Sequence, residues 1–465
     1  MFSLTHNTSG GMNRRSFLRV GGLGLGGLTL SQMLQIKAEA AGRGDAVHDK
    51  SVVFLFMHGG PSQTETFDPK MTAPSANRSV TGEIKTKLPG ITFGSTFPKL
   101  AERADRLAIV RSYHTGDAKH DIKPIVSKSV TSGANMGSLY GRVVGTNVPG
   151  SGMPTNAALF PRAVVPESQA AVTNFGNFVS SGSLGDAYAP FVPGGGGKLQ
   201  QDMELRLPRR RFDDRRSLLR GLDRIRRDID AGKLEGLDRF QQQAYDTIVG
   251  GVAGAFDLSK EDPKTIARYD TGGLFTPDQI SRAWNNHKNY VDHVRTLGKL
   301  MLLARRLCEA GCGFVTVTTG FVWDMHADKN NATMDEGMQY VGSPFDHAVA
   351  AFMDDLKERG LEDKILLVAS GEMGRTPKIN AKGGRDHWGN IAPLLLSGGG
   401  LNMGQVIGQS TRDASEPATD PMSMDNLRST IMHTLLDVGK VRLQTGLPND
   451  VLRLVTGSKP IPGLL

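Results

Sequence analysis

An unbroken apolar run at residues 365–369 is the feature that most constrains the fold of this chain. Its sequence is ILLVA, with no alternation between apolar and polar side chains. A strand that is apolar on both faces is typical of a parallel sheet covered by helices on both sides. The run breaks at Ser370 and Gly371 and is followed by Glu372. Because ligands of open α/β sheets bind beyond the carboxyl ends of the strands, Glu372 is predicted to mark a functional site.

Charged groups follow Glu372 at short intervals. Arg375 comes first, and Arg385, Asp386 and His387 follow in one glycine-containing stretch. A packed core needs none of these groups. Two guanidiniums can hold a phosphate or sulfate through bidentate hydrogen bonds, so Arg375 is predicted to serve catalysis as an anion contact.

Four further apolar runs repeat this arrangement along the chain, at residues 51–57, 107–111, 313–319 and 392–396. Amphipathic stretches between them predict helices, at residues 97–106, 277–308, 343–359 and 425–438. Residues 88–93 are predicted to form a short edge strand. The alternation predicts an α/β fold with a mostly parallel sheet sandwiched by helices and interrupted by loop-rich insertions.

The loops after the first two strands carry acids and imidazoles. Glu65 follows the first strand, where a site carboxylate and an ordinary loop acid are equally good interpretations. Its neighbours Ser62 and Asp68 fit helix capping and turn formation instead. His114 and His120 follow the second strand and are candidate catalytic residues, as ligands or anion contacts. A solvated loop histidine is the simpler interpretation of either one taken alone.

Asp324 and His326 follow the strand at residues 313–319 and stand two positions apart. In an extended segment, residues i and i+2 point to the same side, so both side chains can approach one cation. Asp328 continues this row. The alternative is a loop aspartate paired with a neighbouring histidine, without any ligand.

The predicted ligands are carboxylates and imidazoles rather than thiolates. Such ligands suit Zn, Mn or similar divalent cations. Two neighbouring metal ions can clamp the oxygens of a phosphate or sulfate ester and activate a water or hydroxyl group. The pattern therefore predicts a divalent metal and an anionic substrate.

The N-terminal 40 residues are predicted to be an export signal. Arg14 and Arg15 precede Phe17 and a short apolar segment, and residues 38–40 read Ala-Glu-Ala. This order resembles a twin-arginine signal peptide, and it implies the twin-arginine export machinery as a partner and a periplasmic or secreted location. A chance arginine pair before a surface helix is the alternative. No later stretch is long and apolar enough to span a bilayer.

Two insertions are predicted within a single domain over residues 41–465. Residues 127–200 are rich in small residues and predict a loop-rich insertion, and residues 205–310 predict a mainly helical segment. The arginine-rich stretch at 206–228 contributes to the net charge of +8 and reads as a solvated helix face. A polyanion-binding role is a weaker alternative, and specific nucleic-acid binding lacks any recognition motif. Cys308 and Cys312 favour two buried thiols over a disulfide.

Several long motifs resemble one protein family. They are HGGPSQTETFDPK, LLARRLCEAGCGFVTV with WDMH after it, GEMGRTPKIN and GGRDHWGN. Together they resemble the domain-of-unknown-function family DUF1501 over nearly all of the mature chain. That family is grouped with the alkaline phosphatase and sulfatase superfamily, whose members place one or two metal ions at the carboxyl ends of a mostly parallel sheet.

The resemblance implies a metal-dependent hydrolase of sulfate or phosphate esters. The implied cofactor is Zn, Mn or Ca, and the implied partner is an anionic small molecule or a sulfated or phosphorylated saccharide. The residues that match the metal ligands are Glu65, Asp324, His326, Glu372 and His387.

The chain departs from the superfamily pattern at two places. Ser62 and Thr115 are only positional candidates for the usual nucleophile, and Glu372 is followed by Met373 rather than by a histidine. These departures support an alternative function, a non-catalytic metal- or anion-binding envelope protein that retains the fold without a nucleophile.

Overall fold

A seven-stranded sheet forms the centre of the computed structural model, which describes residues 46–123, 125, 133–149, 151–193 and 252–465. The strands in these ranges are β1 (Ser51–Phe56), β2 (Glu83–Lys85), β3 (Thr92–Gly94), β4 (Ala108–Val110), β5 (Asn156–Leu159), β6 (Phe314–Val317), β7 (Ile365–Ser370), β8 (Gly374–Arg375), β9 (His387–Trp388), β10 (Leu394–Gly398) and β11 (Gln405–Ile407). The order in the large sheet is β11-β4-β10-β7-β1-β6-β5. Strands β2 and β3 form one separate ribbon, and β8 and β9 form another.

The large sheet is mostly parallel. Strand β1 lies between β6 and β7 and runs parallel to both. The edge strands β5 and β11 are parallel to their neighbours, whereas β10 runs antiparallel to both β7 and β4. All strands of the large sheet except β10 therefore end at the same edge. This arrangement confirms the predicted fold class.

Helices cover both faces of the sheet. The described helices are α1 (Pro98–Ala101), α2 (Met136–Val144), α3 (Ala253–Phe256), α4 (Pro263–Tyr269), α5 (His287–Glu309), α6 (Met334–Glu358), α7 (Met424–Leu435), α8 (Val438–Arg442) and α9 (Asn449–Thr456). Short 3₁₀ turns connect some of them. Helices α5 and α6 pack on one face, and α2, α7 and α9 pack on the other.

The strand sequences explain this two-sided burial. In β1, Val53 and Leu55 join the core under α5 and α6, whereas Val52, Phe54 and Phe56 join the core on the opposite face. Successive residues of a strand point to opposite faces, so a continuous apolar run serves two cores at once.

Both edge strands of the sheet were absent from the sequence prediction. Strand β5 lies inside the predicted loop-rich insertion, where its sequence NAAL has little β propensity. Strand β11 is only half buried and reads QVI. The predicted strand 392–396 is shifted to β10, and the predicted edge strand 88–93 is reduced to β3.

Two long helices differ from their predicted bounds. Helix α5 begins at His287 rather than at residue 277, because turns precede it. Helix α6 begins at Met334, nine residues before the predicted start. The Thr333 side chain accepts a hydrogen bond from the Glu336 backbone N–H, and the helix continues through Pro344.

Some predictions fall outside the described residues. The signal peptide at residues 1–40 and the arginine-rich stretch at 206–228 are among them. Cys308 and Cys312 are both buried and unpaired, as predicted. None of the described helices combines the length and hydrophobicity that a membrane-spanning segment needs.

Candidate metal centre

Three imidazoles and one carboxylate converge beyond the carboxyl ends of the parallel strands. His120, Asp324, His326 and His387 each place one ligand atom within 4.8 Å of the others. We call these four residues the His–Asp cluster. His120 lies in the loop after β4, Asp324 and His326 lie in the loop after β6, and His387 begins β9.

One carboxylate oxygen is the common neighbour of the three imidazoles. Asp324 Oδ1 lies 2.7 Å from His326 Nε2. The Nε2 atoms of His120 and His387 each lie 3.4 Å from the same oxygen. The other oxygen, Oδ2, accepts a hydrogen bond of 3.1 Å from Asn331 Nδ2. The carboxylate is therefore held in one orientation with Oδ1 facing the imidazoles.

The β8–β9 ribbon brings His387 to this carboxylate. Arg375 and His387 are directly opposite in its antiparallel register. Side chains of directly opposed residues lie on the same face of a ribbon. Both of them contact Asp324 Oδ1, so the ribbon folds the segment after β7 back over the sheet edge.

Gly59 allows the loops after β1 and β6 to approach closely. Its φ is +115°, and a Cβ atom there would lie 2.5 Å from the backbone nitrogen of Asp324. Its N–H donates to Glu372 Oε1 at 2.9 Å, and its carbonyl accepts from Arg375 Nη2. Only glycine fits this position, which joins the loops after three adjacent strands.

The Arg375 guanidinium is committed to internal contacts. Its side chain is fully buried, and Nη2 lies 2.5 Å from Asp324 Oδ1. Nε donates to the Gly60 carbonyl at 2.7 Å, and Nη1 donates to the Arg385 carbonyl at 3.2 Å. The structure thus differs from the predicted anion clamp, because every nitrogen of this guanidinium already contacts the protein.

Glu372 lies beside the His–Asp cluster rather than in it. Its Oε1 accepts from His120 Nδ1 at 2.9 Å. Its Oε2 is buried and has no hydrogen-bond partner among the described residues. A carboxylate on the far nitrogen of an imidazole fixes the ring and directs Nε2 toward a metal. The predicted ligand Glu372 is therefore placed where it orients His120.

Glu65 lies apart from the His–Asp cluster, although it was predicted as a ligand. Its carboxylate accepts from Arg385 Nη2 at 2.8 Å, and both side chains are fully buried. It also accepts from Ser79 Oγ at 2.6 Å and from the Val80 backbone N–H at 3.1 Å. These donors saturate both oxygens. The same ion pair occupies Arg385, the second arginine of the predicted clamp.

The remaining candidates are also outside the His–Asp cluster. Asp328 accepts hydrogen bonds from the backbone of the turn that follows it. His114 is partly buried, and its backbone N–H donates to Met422. Ser62 Oγ accepts from the Glu65 backbone N–H at 3.3 Å, as expected for a turn residue. Thr115 Oγ1 is buried without a partner among the described residues.

The surroundings shift the pKa values of Asp324, His120 and His387 in different directions. Burial opposes ionisation of Asp324, but Arg375 and the surrounding imidazoles hold the pKa of this carboxyl well below its usual range. Burial also opposes protonation of His120, yet Asp324 and Glu372 raise its pKa. For His387, burial prevails and lowers the pKa, so this imidazole is held neutral, the form that binds metals.

The donor set fits a metal ion. Nε2 of His326 and Nε2 of His387 face each other at 3.2 Å, and both face Asp324 Oδ1. Lone pairs on these three atoms repel one another unless a proton or a cation lies between them. Imidazole nitrogens with one carboxylate oxygen form a common ligand set for zinc and related metals. The side chains of His326 and His387 are 23% and 30% exposed, which leaves one side of the cluster open to solvent.

Aromatic side chains line the inner side of the His–Asp cluster. The rings of Phe175 and Phe321 stack at 4.6 Å, and His120 packs against both. His58 packs edge-on against Phe321, and burial lowers its pKa to about 4. These ring contacts help to bury His120, whose side chain is 11% exposed.

Sequence reasoning missed Asn331, and it gave His120 only as one of two loop histidines that could be a ligand or an anion contact. Asn331 lies seven residues after Asp324, and no spacing rule connects the two positions. Asp328 turns the chain back and thereby brings the Asn331 side chain to Asp324. His120 was singled out because it follows a strand, but only its distance to Asp324 assigns it to the cluster.

The described residues form a mostly parallel sheet covered by helices on both faces, with a group of His and Asp side chains at its carboxyl edge that could hold a metal ion. The chain belongs to the family described as "Protein of unknown function (DUF1501)", whose model matches residues 49–465. Comparison with curated proteins gave no match.

Three solved structures illustrate what the chain resembles. The PsFucS1 sulfatase from Pseudoalteromonas sp. is 11% identical with a TM-score of 0.35, and the match covers 86% of this chain and 70% of that one. The lipoteichoic acid synthase LtaP from Listeria monocytogenes is 11% identical with a TM-score of 0.34, covering 90% and 81%. The phosphonate monoester hydrolase SpPMH from Silicibacter pomeroyi is 12% identical with a TM-score of 0.31, covering 89% and 78%.

Proposed function

We propose that this chain is an exported, metal-dependent hydrolase of sulfate or phosphate esters. The observation that carries the proposal is the convergence of three imidazoles on one oxygen of Asp324 at a sheet edge where ligands bind. The similar structures include a sulfatase and a phosphonate monoester hydrolase. The twin-arginine motif supports export to the periplasm or beyond the cell.

The ligands of the proposed metal are the four residues of the His–Asp cluster. A divalent ion held there would polarise an ester oxygen and make a nearby water more acidic. Zn and Mn suit the imidazole-rich ligand set better than Ca, which prefers oxygen ligands.

The chain supplies the orientation of these ligands. Glu372 Oε1 accepts a hydrogen bond from Nδ1 of His120, and Asn331 Nδ2 donates to Oδ2 of Asp324. Asp386 Oδ1 lies 3.8 Å from His326 Nδ1 at the exposed rim. His326 and His387 reach solvent, so an ester is expected to approach from their side while the phenylalanines exclude water behind.

A second candidate function is metal or anion binding without turnover. It is supported by the nucleophile candidates, because Ser62 Oγ is engaged in a turn and Thr115 Oγ1 is buried. It is also supported by the two buried arginines, whose donors already have partners. In this alternative the chain is an envelope protein that binds a metal or an anion and lacks hydrolytic activity.

Metal analysis of the natively exported protein tests the proposal. We expect at least one Zn or Mn ion per chain, and its loss in Asp324→Ala and His387→Ala. The matched control is His287→Ala, a half-buried histidine at the start of α5 whose Nδ1 contacts the Ser281 carbonyl. Absence of metal from the wild type would refute both the metal site and the hydrolase.

Turnover separates the two candidate functions. A panel of sulfated saccharides and phosphate monoesters would be assayed with the metal-loaded wild type and the Asp324→Ala variant. Hydrolysis that disappears in the variant supports the hydrolase. Metal binding without hydrolysis of any panel member supports the non-catalytic alternative.

A further inference from the structure

A guanidinium lies beside the carboxylate at the centre of the His–Asp cluster. Arg375 Nη2 lies 2.5 Å from the same Oδ1 atom that the three imidazoles face. In two-metal hydrolases, a second cation lies about 3.5–4 Å from the first. Arg375 therefore supplies a positive charge next to the oxygen that would ligate the first ion.

This guanidinium is fixed in place. It is fully buried, and carbonyl groups of Gly59, Gly60 and Arg385 accept its hydrogen bonds. Gly59 and Gly60 belong to the loop after β1, whereas Arg375 belongs to the ribbon after β7. Moving the side chain away would leave three buried carbonyls without partners, so a metal ion cannot displace it at low cost.

The charge of Arg375 is also permanent. Arginine stays protonated at every pH at which proteins are folded. A permanent positive charge beside Asp324 repels a second divalent ion and leaves room for one ion on the imidazole side.

Few other ligands are available for a second ion. Within the described ranges, the His–Asp cluster is the one group of three or more potential ligands that lie close enough together. Two further buried atoms nearby have no partner there, Glu372 Oε2 and His58 Nε2. Zinc sites in proteins use at least three protein ligands, so these two atoms by themselves do not form a second zinc site.

We infer that Arg375 takes the place of a second metal ion. The His–Asp cluster then binds one metal ion, and the Arg375 guanidinium supplies the second positive charge. The inference rests on the proposed function, because it assumes that the cluster binds a metal. It assigns Arg375 a positioning role, since the guanidinium holds Asp324 and neutralises part of its charge without touching substrate.

The metal stoichiometry of the wild type is the first test. Metal-depleted protein would be titrated with Mn²⁺ or Zn²⁺ by calorimetry, and the loaded protein would be measured by elemental analysis. One ion per chain is expected. Two ions per chain would overturn the inference while leaving the proposed hydrolase intact. An absence of binding would overturn both, so the two failures are distinguishable.

Two variants test the role of the charge. In Arg375→Met, the loss of the guanidinium should raise the stoichiometry from one ion per chain towards two, or raise the affinity for the first ion at least tenfold. Arg375→Lys retains a charge and should bind one ion. The matched control is Arg385→Met, which removes the other fully buried arginine of this segment but contacts Glu65 rather than Asp324. Its stoichiometry should remain at one.

The result for Arg375→Met decides the inference if this variant folds. A folded Arg375→Met protein that binds one ion with wild-type affinity would overturn it. Should the variant not fold, the wild-type stoichiometry decides alone. A further readout is the circular dichroism spectrum of the metal-depleted wild type. This protein should remain folded, because the positive charge of Arg375 already compensates the negative charge of Asp324.

Discussion

His120 Nδ1 lies 2.9 Å from Glu372 Oε1, although the two residues are 252 positions apart in the chain. The contact joins the loop after β4 to the loop after β7 and directs the other nitrogen of His120 to Asp324. It makes Glu372 a determinant of ligand geometry even though its own oxygens are outside the cluster.

Replacing Glu372 by glutamine should weaken metal binding by about 10–100-fold, the usual effect of losing a carboxylate that orients a metal-bound histidine. The amide keeps the shape of the side chain but carries no negative charge. Calorimetric titration with Mn²⁺ measures the affinity. The control is Asp346→Asn, another buried carboxylate, which accepts from the Lys99 and Leu100 backbone N–H groups of α1 and is not a member of the His–Asp cluster. Equal affinities in wild type and Glu372→Gln would contradict the assigned role.

Gly59→Ala should lower the free energy of unfolding by about 2–4 kcal/mol, from backbone strain at positive φ and from overpacking. The new Cβ would lie 2.5 Å from the Asp324 nitrogen, so metal affinity should fall as well. Chemical denaturation measures the stability. Gly82→Ala is the control, since φ there is +87° and nothing lies within 4 Å of the added Cβ. A loss no greater than that of the control would show that the close approach has no energetic importance.

Glu65→Gln should leave the metal content unchanged and lower the free energy of unfolding by about 3 kcal/mol, because it leaves the buried Arg385 charge without its partner. Elemental analysis and denaturant unfolding check the two halves of this prediction. Glu358→Gln provides the comparison, because Glu358 pairs with Arg268 at the surface and its loss should cost less than about 1 kcal/mol. Loss of metal in Glu65→Gln would instead indicate that Glu65 is a metal ligand.

His293 should make stability fall as the pH is lowered from about 6.5 to 4. Burial lowers its pKa to about 4, so in this window the unfolded chain binds a proton that the folded chain does not, and acid favours unfolding. The full effect is on the order of 3 kcal/mol. In the folded state, His293 contacts Thr319 Oγ1 at 2.6 Å and the Val341 carbonyl at 3.1 Å.

The His293→Gln variant isolates this contribution. Its unfolding free energy should depend less on pH than that of the wild type between pH 6.5 and 4. The difference in slope corresponds to at most one fewer proton bound on unfolding. Above pH 7.5 the difference between the two proteins should be constant. Parallel curves across the whole range would show that His293 does not titrate differently in the two states.

Much of the sheet edge was predictable from local sequence. The apolar run at 365–369 identified a strand buried on both faces, and its termination identified Glu372 as the first polar residue at the edge. The spacing of Asp324 and His326 implied that both face one point, and the structure brings them to 2.7 Å. The first inference depends on strand geometry alone, whereas Asp324 and His326 meet in the loop after β6 rather than in an extended strand.

Contacts between distant loops were beyond such reasoning. Whether Arg375 has free donors depends on the Gly60 carbonyl, 315 positions away in the chain. Whether Glu65 can bind a metal depends on Arg385, which reaches it from 320 positions away. Sequence marks these residues as charged and close to strand ends, but only the packing of loops decides which charges neutralise each other.

The four residues of the His–Asp cluster come from three loops that meet only when the parallel strands are assembled. A nascent or partly folded chain consequently lacks the assembled cluster, and an ion that needs all four ligands would bind only after the sheet is complete. If the twin-arginine route carries this chain across the membrane already folded, the complete cluster would be present on both sides of the membrane. Comparing the metal in the exported protein with that in the same protein held in the cytoplasm would show on which side the ion is bound.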